Sequence, residues 1–365
     1  MSSDRLKEAE RVLTICNACR YCEGYCAVFP AMELRRTFTA GDLKYLSNLC
    51  HNCRDCYYAC QYAPPHDFSL NFPRAMADLR MDTYSEFTWP RFLSGSFKGN
   101  GLAVFAISVM SIVAFAAISF ASKGVTAIFG THQGPNSFYR IVSYITMIWP
   151  FLLLAIFAIV SLWKGAQYFW QETVSNDKPL FDKKAHFQAI WDVLRLKYLD
   201  GGGHGCNFPD DRFSMIRRYL HHFVFYGFML CLASTTVAAI YDHLFHIPAP
   251  YPFFSWPVML GTIGGLALLV GTGGLLVLKF RMDRLPAADK AYGMDIGFIS
   301  LLFTISLTGL VLLVFRETAA MGTLLIVHLG LVLAFFITIP YGKFVHALYR
   351  YTALVRYAQE QSEAE

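Results

Sequence analysis

The sequence predicts a mainly α-helical chain in two parts, a small helical N-terminal domain followed by a six-helix transmembrane bundle. Two runs of four cysteines near the N-terminus predict the first part, and six apolar stretches of membrane-crossing length predict the second. Composition agrees. Of 365 residues, 55% are hydrophobic, 32 are Phe and only 16% are charged, against about 25% charged in soluble domains.

The cysteine runs are Cys16, Cys19, Cys22 and Cys26, then Cys50, Cys53, Cys56 and Cys60, both spaced C-x2-C-x2-C-x3-C. Eight thiolates so spaced suit two 4Fe-4S clusters: three ligands wrap one cluster on a tight loop and the fourth reaches the other. The crossed rule assigns Cys16, Cys19, Cys22 and Cys60 to one cluster and Cys50, Cys53, Cys56 and Cys26 to the other. Structural zinc sites instead use ligand pairs separated by long loops. The proline that usually follows the fourth cysteine is missing, with Ala27 and Gln61 in its place. The first residues are charged and polar, with no cleavable signal peptide, so the expectation is a reducing cytoplasm, where clusters survive and disulfides do not.

Residues 1–90 are the expected α-helical two-cluster ferredoxin-like domain. Between the quartets, 28–49 carries helical patterns around Met32-Glu33-Leu34 and Asp42–Leu46, and 72–81 reads likewise. The stretch 91–100, entered through Trp89-Pro90 and rich in Gly, is the linker to the bilayer.

The six apolar stretches are 101–121, 139–163, 219–241, 256–280, 294–315 and 320–341, each near the roughly 20 residues a bilayer requires. An even number puts both ends of the chain on one side. The connections 164–218 and 279–290 hold nine and four Lys or Arg, whereas the opposite side has only Lys123, Arg140 and Arg316. The positive-inside rule therefore places the cysteine domain, the connection 164–218 and the tail 342–365 in the cytoplasm. A net charge of +5 without a basic tail gives no sign of nucleic-acid binding.

Histidines in and beside the spans are candidate haem ligands. His346 lies 18 residues after His328, which on one continuous helix is about five turns, with both rings on one face about 27 Å apart. The span 219–241 offers partners: His221 or His222 near the depth of His346, and His243 near that of His328. Paired imidazoles at either level suit b-type haem, one or two in number, because bis-imidazole ligation serves electron transfer and leaves no open iron position. Against this stands helix packing, the commoner role of a membrane histidine. His246, beside prolines, reads as structural, Cys231 as a small packing residue, and His51 and His66 as surface hydrogen-bonding residues.

Glycines 261, 264, 265, 271, 273 and 274 lie within hydrocarbon and read as close-packing positions rather than a nucleotide loop. The cytoplasmic stretch 200–209, Asp-Gly-Gly-Gly-His-Gly-Cys-Asn-Phe-Pro, is either a docking surface for a soluble partner or a turn between interfacial helices at 184–198 and 213–218. The chain has no dinucleotide-binding fingerprint, so any flavin belongs to a partner.

The doubled quartet followed by Arg217-Arg218-Tyr219-Leu220-His221-His222, the Gly-Gly-Gly-His-Gly-Cys-Asn loop and Tyr341-Gly342-Lys343-Phe344-Val345-His346 resembles the tricarballylate/citrate utilisation protein B family over nearly the whole chain. The resemblance implies a multi-pass protein of the bacterial inner membrane that reoxidises a soluble FAD-dependent dehydrogenase, passing electrons through iron–sulfur clusters and b haem to membrane quinone. The polytopic part is more distantly similar to haem-bearing subunits of respiratory nitrate reductases. Two other classes stay open from sequence: a heterodisulfide-reductase-like protein carrying electrons from quinol to a soluble acceptor, and a transporter or sensor with a redox domain. The last lacks the matched Gly/Pro-broken helices of transporter repeats.

Overall fold

A computed structural model describes residues 3–97, 100–174 and 179–364. The cysteine domain contains α1 (Ser3–Cys19), α2 (Val28–Glu33), α3 (Ala40–Leu49), α4 (Asp55–Tyr58) and α5 (Phe72–Glu86). Helix α1 was not expected, and it carries Cys16 and Cys19 on its last turn. Helix α3 begins with a capping box: the Thr39 side chain accepts from the Asp42 N–H, and Asp42 accepts from the Thr39 N–H. Helix α5 starts where Asn71 caps Arg74 and Pro73 takes a position needing no N–H donation.

Among the described residues, six helices are long and apolar enough to cross a membrane: α6 (Asn100–Phe129), α7 (Tyr144–Thr173), α9 (Ile216–His243), α10 (Trp256–Arg281), α11 (Asp289–Phe315) and α12 (Met321–Thr338). The chain is accordingly a multi-pass membrane protein. The helices overrun the sequence-drawn spans, and α7 starts at Tyr144 because Ser143 caps it, after a short 3-10 turn at Ser137–Arg140. Gly124, at φ +78°, interrupts α6 near the expected end of its span. Glycines let α9 and α10 touch: a Cβ on Gly264 would lie 2.8 Å from the Gly227 carbonyl oxygen and 2.9 Å from Cys231 Sγ. The packing role expected for these glycines and for Cys231 is what the contacts give.

Two expectations for the segments outside the spans are corrected. The stretch 342–365 is no free tail. Its helix α13 (Val345–Ala364) buries Tyr349, Ala353, Leu354, Val355 and Tyr357 in the same core as Val12, Leu13, Met32, Leu46 and Met76 of the cysteine domain. Each such large apolar side chain contributes about 1.5–3 kcal/mol on burial, so the last helix is part of the domain that the first helices build. In the connection 164–218, residues 164–173 prolong α7, α8 spans Lys183–Leu194, and 213–214 form a strand instead of a helix. That strand, β2 (Phe213–Ser214), pairs antiparallel with β1 (Cys206–Asn207), and α9 begins directly after it.

The helix-face argument for His328 and His346 is also corrected. Helix α12 ends at Thr338, a 3-10 turn covers Ile339–Tyr341, Gly342 is extended, and α13 starts at Val345. Pro340 lacks the N–H that a continuing helix would need. The two histidines therefore stand on different helices.

Candidate functional site

The quartets share a backbone device. Arg20 and Arg54 directly follow the second cysteine of each run, and both adopt left-handed φ, 56° and 75°. These reversals turn the chain back sharply after the second cysteine of each run. The thiols then group across the quartets. Burial pushes the Cys16 thiol up, followed by repulsion from Cys22, Cys60 and Cys19. Cys22 is pushed up to about 12 by burial and then by Cys60 and Cys19. Cys53 is raised by burial and then by Cys26, and Cys56 by burial and then by Cys53 and Cys50. Buried thiols at such values stay protonated without nearby positive charge, which a metal centre supplies on binding.

The first group borders a cavity of about 200 Å3 lined by Cys16, Cys19, Cys22 and Cys60, with Cys56 behind and Phe29, Phe72 and Leu70 as apolar wall. Cys19 is exposed, whereas Cys50, Cys53 and Cys56 are buried. Among the described residues no three His, Cys, Asp or Glu groups converge as a single-ion site requires. A cubane asks for something else, since each thiolate binds a different corner iron. Four thiols around one cavity fit such a cluster, and in the second group the Asn52 N–H reaches Cys50 Sγ at 3.4 Å.

The loop 200–209 packs against both quartets. The Asn207 N–H donates to Asp55 Oδ1 at 2.7 Å, and a Cβ on Gly201 would lie 2.5 Å from Asp55 Oδ2. A Cβ on Gly202 would lie 2.6 Å from the carbonyl oxygen of Gly24, inside the first quartet. Cys206 is fully buried. Only the 202–204 crest is exposed, and the loop is no turn between two interfacial helices, because a strand follows it at Phe213–Ser214. It is a strap over the cluster loops. His51 departs from expectation too: it is buried, with Nδ1 2.8 Å from the Leu49 carbonyl. His66 remains exposed, accepting from the Phe68 N–H.

Of the five histidines, two come together. The His221 and His346 rings have centroids 6.4 Å apart at an interplanar angle of 77°. Two imidazoles ligating one metal from opposite sides at about 2.0–2.1 Å have centroids roughly 6–6.5 Å apart. His346 Nδ1 lies against the Lys343 carbonyl. An N–H donated there leaves Nε2 as the lone-pair nitrogen, the arrangement that orients metal-binding histidines. His221 Nδ1 is buried without a hydrogen-bond partner. These features fit a bis-imidazole haem. His222 turns the other way and stacks on Tyr226.

His243 and His328 do not meet. His243 is exposed and its Nδ1 pairs with the Tyr144 hydroxyl at 2.9 Å. His328 Nδ1 pairs with the Thr308 hydroxyl at 3.1 Å, its ring against Gly309. Both have hydrogen-bonded packing roles on separate helix pairs.

The sequence reading missed the arginines around the second quartet. Arg350 donates to the Cys50 carbonyl at 3.0 Å, and Arg80 donates there and to Ser47. Arg217 donates to the carbonyls of Asn52 and His51 at 2.7 and 3.2 Å. The one legible signal was helical spacing: Arg217 and His221, and His346 and Arg350, are each four residues apart.

A family model described as Citrate utilization protein B matches residues 96–365, and one described as Citrate utilization protein B Fer4-like domain matches residues 9–86. The Citrate utilization protein B of Escherichia coli is 47% identical over 357 residues, 97% of this chain and 92% of that protein. No solved structure matches. With a cysteine-rich helical domain and a six-helix membrane part each matched in its own place, the chain belongs to the Citrate utilization protein B family.

Proposed function

We propose that the protein carries electrons from a soluble FAD-dependent dehydrogenase of citrate or tricarballylate utilisation to membrane quinone, at the inner membrane of a bacterium with both termini cytoplasmic. The observation that carries this reading is the succession of sites: an exposed quartet edge at Cys19, a buried quartet, and the His221–His346 pair on helices whose Arg217 and Arg350 reach the buried quartet's loop. When bound, two 4Fe-4S clusters and a b haem supply the one-electron carriers that stand between a two-electron flavin and a two-electron quinone.

The chain's own residues do the rest. Cys16, Cys19, Cys22 and Cys60 hold the outer centre, and Cys26, Cys50, Cys53 and Cys56 the inner one. His221 and His346 hold the haem, with the Lys343 carbonyl fixing the ring of His346. Tyr21, 72% exposed and lining the outer cavity, gives the dehydrogenase an aromatic contact beside Cys19. Burial of the inner quartet keeps water away from the inward half of the route. The pair His243 and His328 offers no comparable fit, so the geometry favours one haem.

A reduced-minus-oxidised optical spectrum of the purified protein, with iron analysis, tests the reading. Sharp haem α-bands and about eight non-haem irons are expected. Absence of the bands, or about four irons, overturns it.

A further inference from the structure

Beneath the Cys50–Cys53 loop, a membrane helix and the last helix of the chain present the same pair of residues. On α9, Arg217 stands one turn before His221. On α13, Arg350 stands one turn after His346. Both guanidinium groups reach the same short stretch of backbone, Arg217 at His51 and Asn52 and Arg350 at Cys50. The reason lies in the loop itself. Asn52 and Arg54 both have left-handed φ, 55° and 75°, and a reversal this tight turns carbonyls outward from the cysteines. Buried carbonyls need donors, and these come from the two helices that carry the facing imidazoles.

Arg80 also donates to Cys50, and the buried Arg54 donates to the Asp283 carbonyl at 2.9 Å. Asp55 accepts from the Asn207 N–H, Asp283 and Asp295 act on Arg54 and Asp200 on Asp55, and Asp295 is paired with Lys279 and Lys343. Arg54, Arg80, Arg217 and Arg350 with Lys279 and Lys343 outnumber Asp55, Asp200, Asp283 and Asp295, which leaves the inner loop in a net positive field. The outer quartet has no such collar: Arg20 there is half-exposed and faces Glu33 at 3.9 Å.

We propose that Arg217 and Arg350 are positioning residues that lock the Cys50–Cys53 loop onto the His221–His346 pair, and that their fixed charge makes the inner centre easier to reduce. The inference rests on the electron-transfer reading above. The step served would be outer-sphere: Cys26, Cys50, Cys53 and Cys56 would hold a cluster that gives up one electron, and His221 and His346 a haem that takes it. No bond forms or breaks and no proton moves. A two-armed clamp from the ligand helices fixes the separation of donor and acceptor, so relative movement of the two domains does not vary it.

The full-length protein in detergent, as R217Q and R350Q, tests this with three readouts: iron and haem content, EPR-monitored redox titration of each cluster, and haem reduction after photoreduction of the clusters. Both variants should keep haem. One cluster's reduction equilibrium should fall about tenfold, equivalent to 59 mV for one electron, while the other stays put, and haem reduction should slow at least tenfold. Unchanged potentials with wild-type haem reduction overturn the proposal. Loss of only the inner cluster's four irons in a glutamine variant supports the locking role, and loss of all eight overturns it. R217K and R350K keep the charge but lose the two-pronged fork, so they should restore the potential while haem reduction stays slow; a wild-type rate in both overturns the positioning role. If the wild-type protein shows no haem band, the functional reading fails, and the cluster potentials still decide whether these arginines act on the inner centre.

Discussion

Tyr45, on the helix between the cysteine quartets, donates its hydroxyl hydrogen to Glu360 on the last helix at 2.9 Å, and both are buried. Around them Arg35 and Arg356 pair with Glu360 and also with Asp42 at 2.7 and 2.9 Å, and both guanidiniums lie over the Tyr45 ring. The two ends of the sequence are joined through this network. Burial by itself raises the Asp42 carboxyl, but hydrogen bonds from Arg35 and Thr39 and the two arginine charges outweigh it and hold the pKa at about 2. A depressed folded value means the stabilisation is full above about pH 4 and is lost as pH falls towards 2. After discounting for partial exposure it amounts to about 1–2 kcal/mol. Asp42→Asn should therefore raise amide exchange in 345–364 at neutral pH by roughly 5- to 30-fold, and should remove the extra acid sensitivity of that helix between pH 4 and 2. Equal exchange in both proteins across this range would disprove the coupling.

Gly201→Ala should damage the inner quartet without touching a cysteine. Its φ of +56° is strained for alanine, and the new methyl would meet Asp55 Oδ2 at 2.5 Å, on the helix that carries Cys56. Strain of about 1–3 kcal/mol should appear as faster iron loss to a chelator. His204→Ala, on the exposed crest with its ring near Phe213, should leave that rate within twofold. The same rate in both variants would mean the strap does not support the cluster loops.

Ligand exchange between the quartets is open to direct measurement. Cys60→Ser and Cys16→Ser should alter one EPR signal, and Cys26→Ser and Cys50→Ser the other, because the thiols group as Cys16, Cys19, Cys22 and Cys60 against Cys26, Cys50, Cys53 and Cys56. Each variant should retain about four of eight irons. If Cys60→Ser instead changes the same signal as Cys50→Ser, each quartet serves its own cluster.

Replacement of His221 or His346 by Ala should abolish the haem α-band, whereas His222→Ala should leave haem content unchanged because its ring faces Tyr226. His243→Ala and His328→Ala lose hydrogen bonds to Tyr144 and Thr308, worth about 0.5–1.5 kcal/mol each, and should lower thermal stability while sparing the haem. A halved haem content in either would establish a second haem at the outer level.

The cysteine spacing, the apolar runs and the Lys and Arg of the connections between them were legible in the residues alone, because each depends on local sequence: ligand reach along a loop, the length of a helix, the charge of its flanks. The break at Pro340 and Gly342 was legible too, as a proline inside an apolar run, yet the spacing of His328 and His346 spoke louder than it should have. What only the tertiary structure decided involves residues far apart in the chain. Glu360 beneath Tyr45, Gly202 against Gly24, and Arg217 and Arg350 on one loop of backbone leave no periodic trace, since a buried carbonyl takes its donor from whichever helix packing brings near. His221 was separated from His222 in the same way: adjacent residues on a helix point about 100° apart, and the packing of α13 beside α9 determined which one met His346.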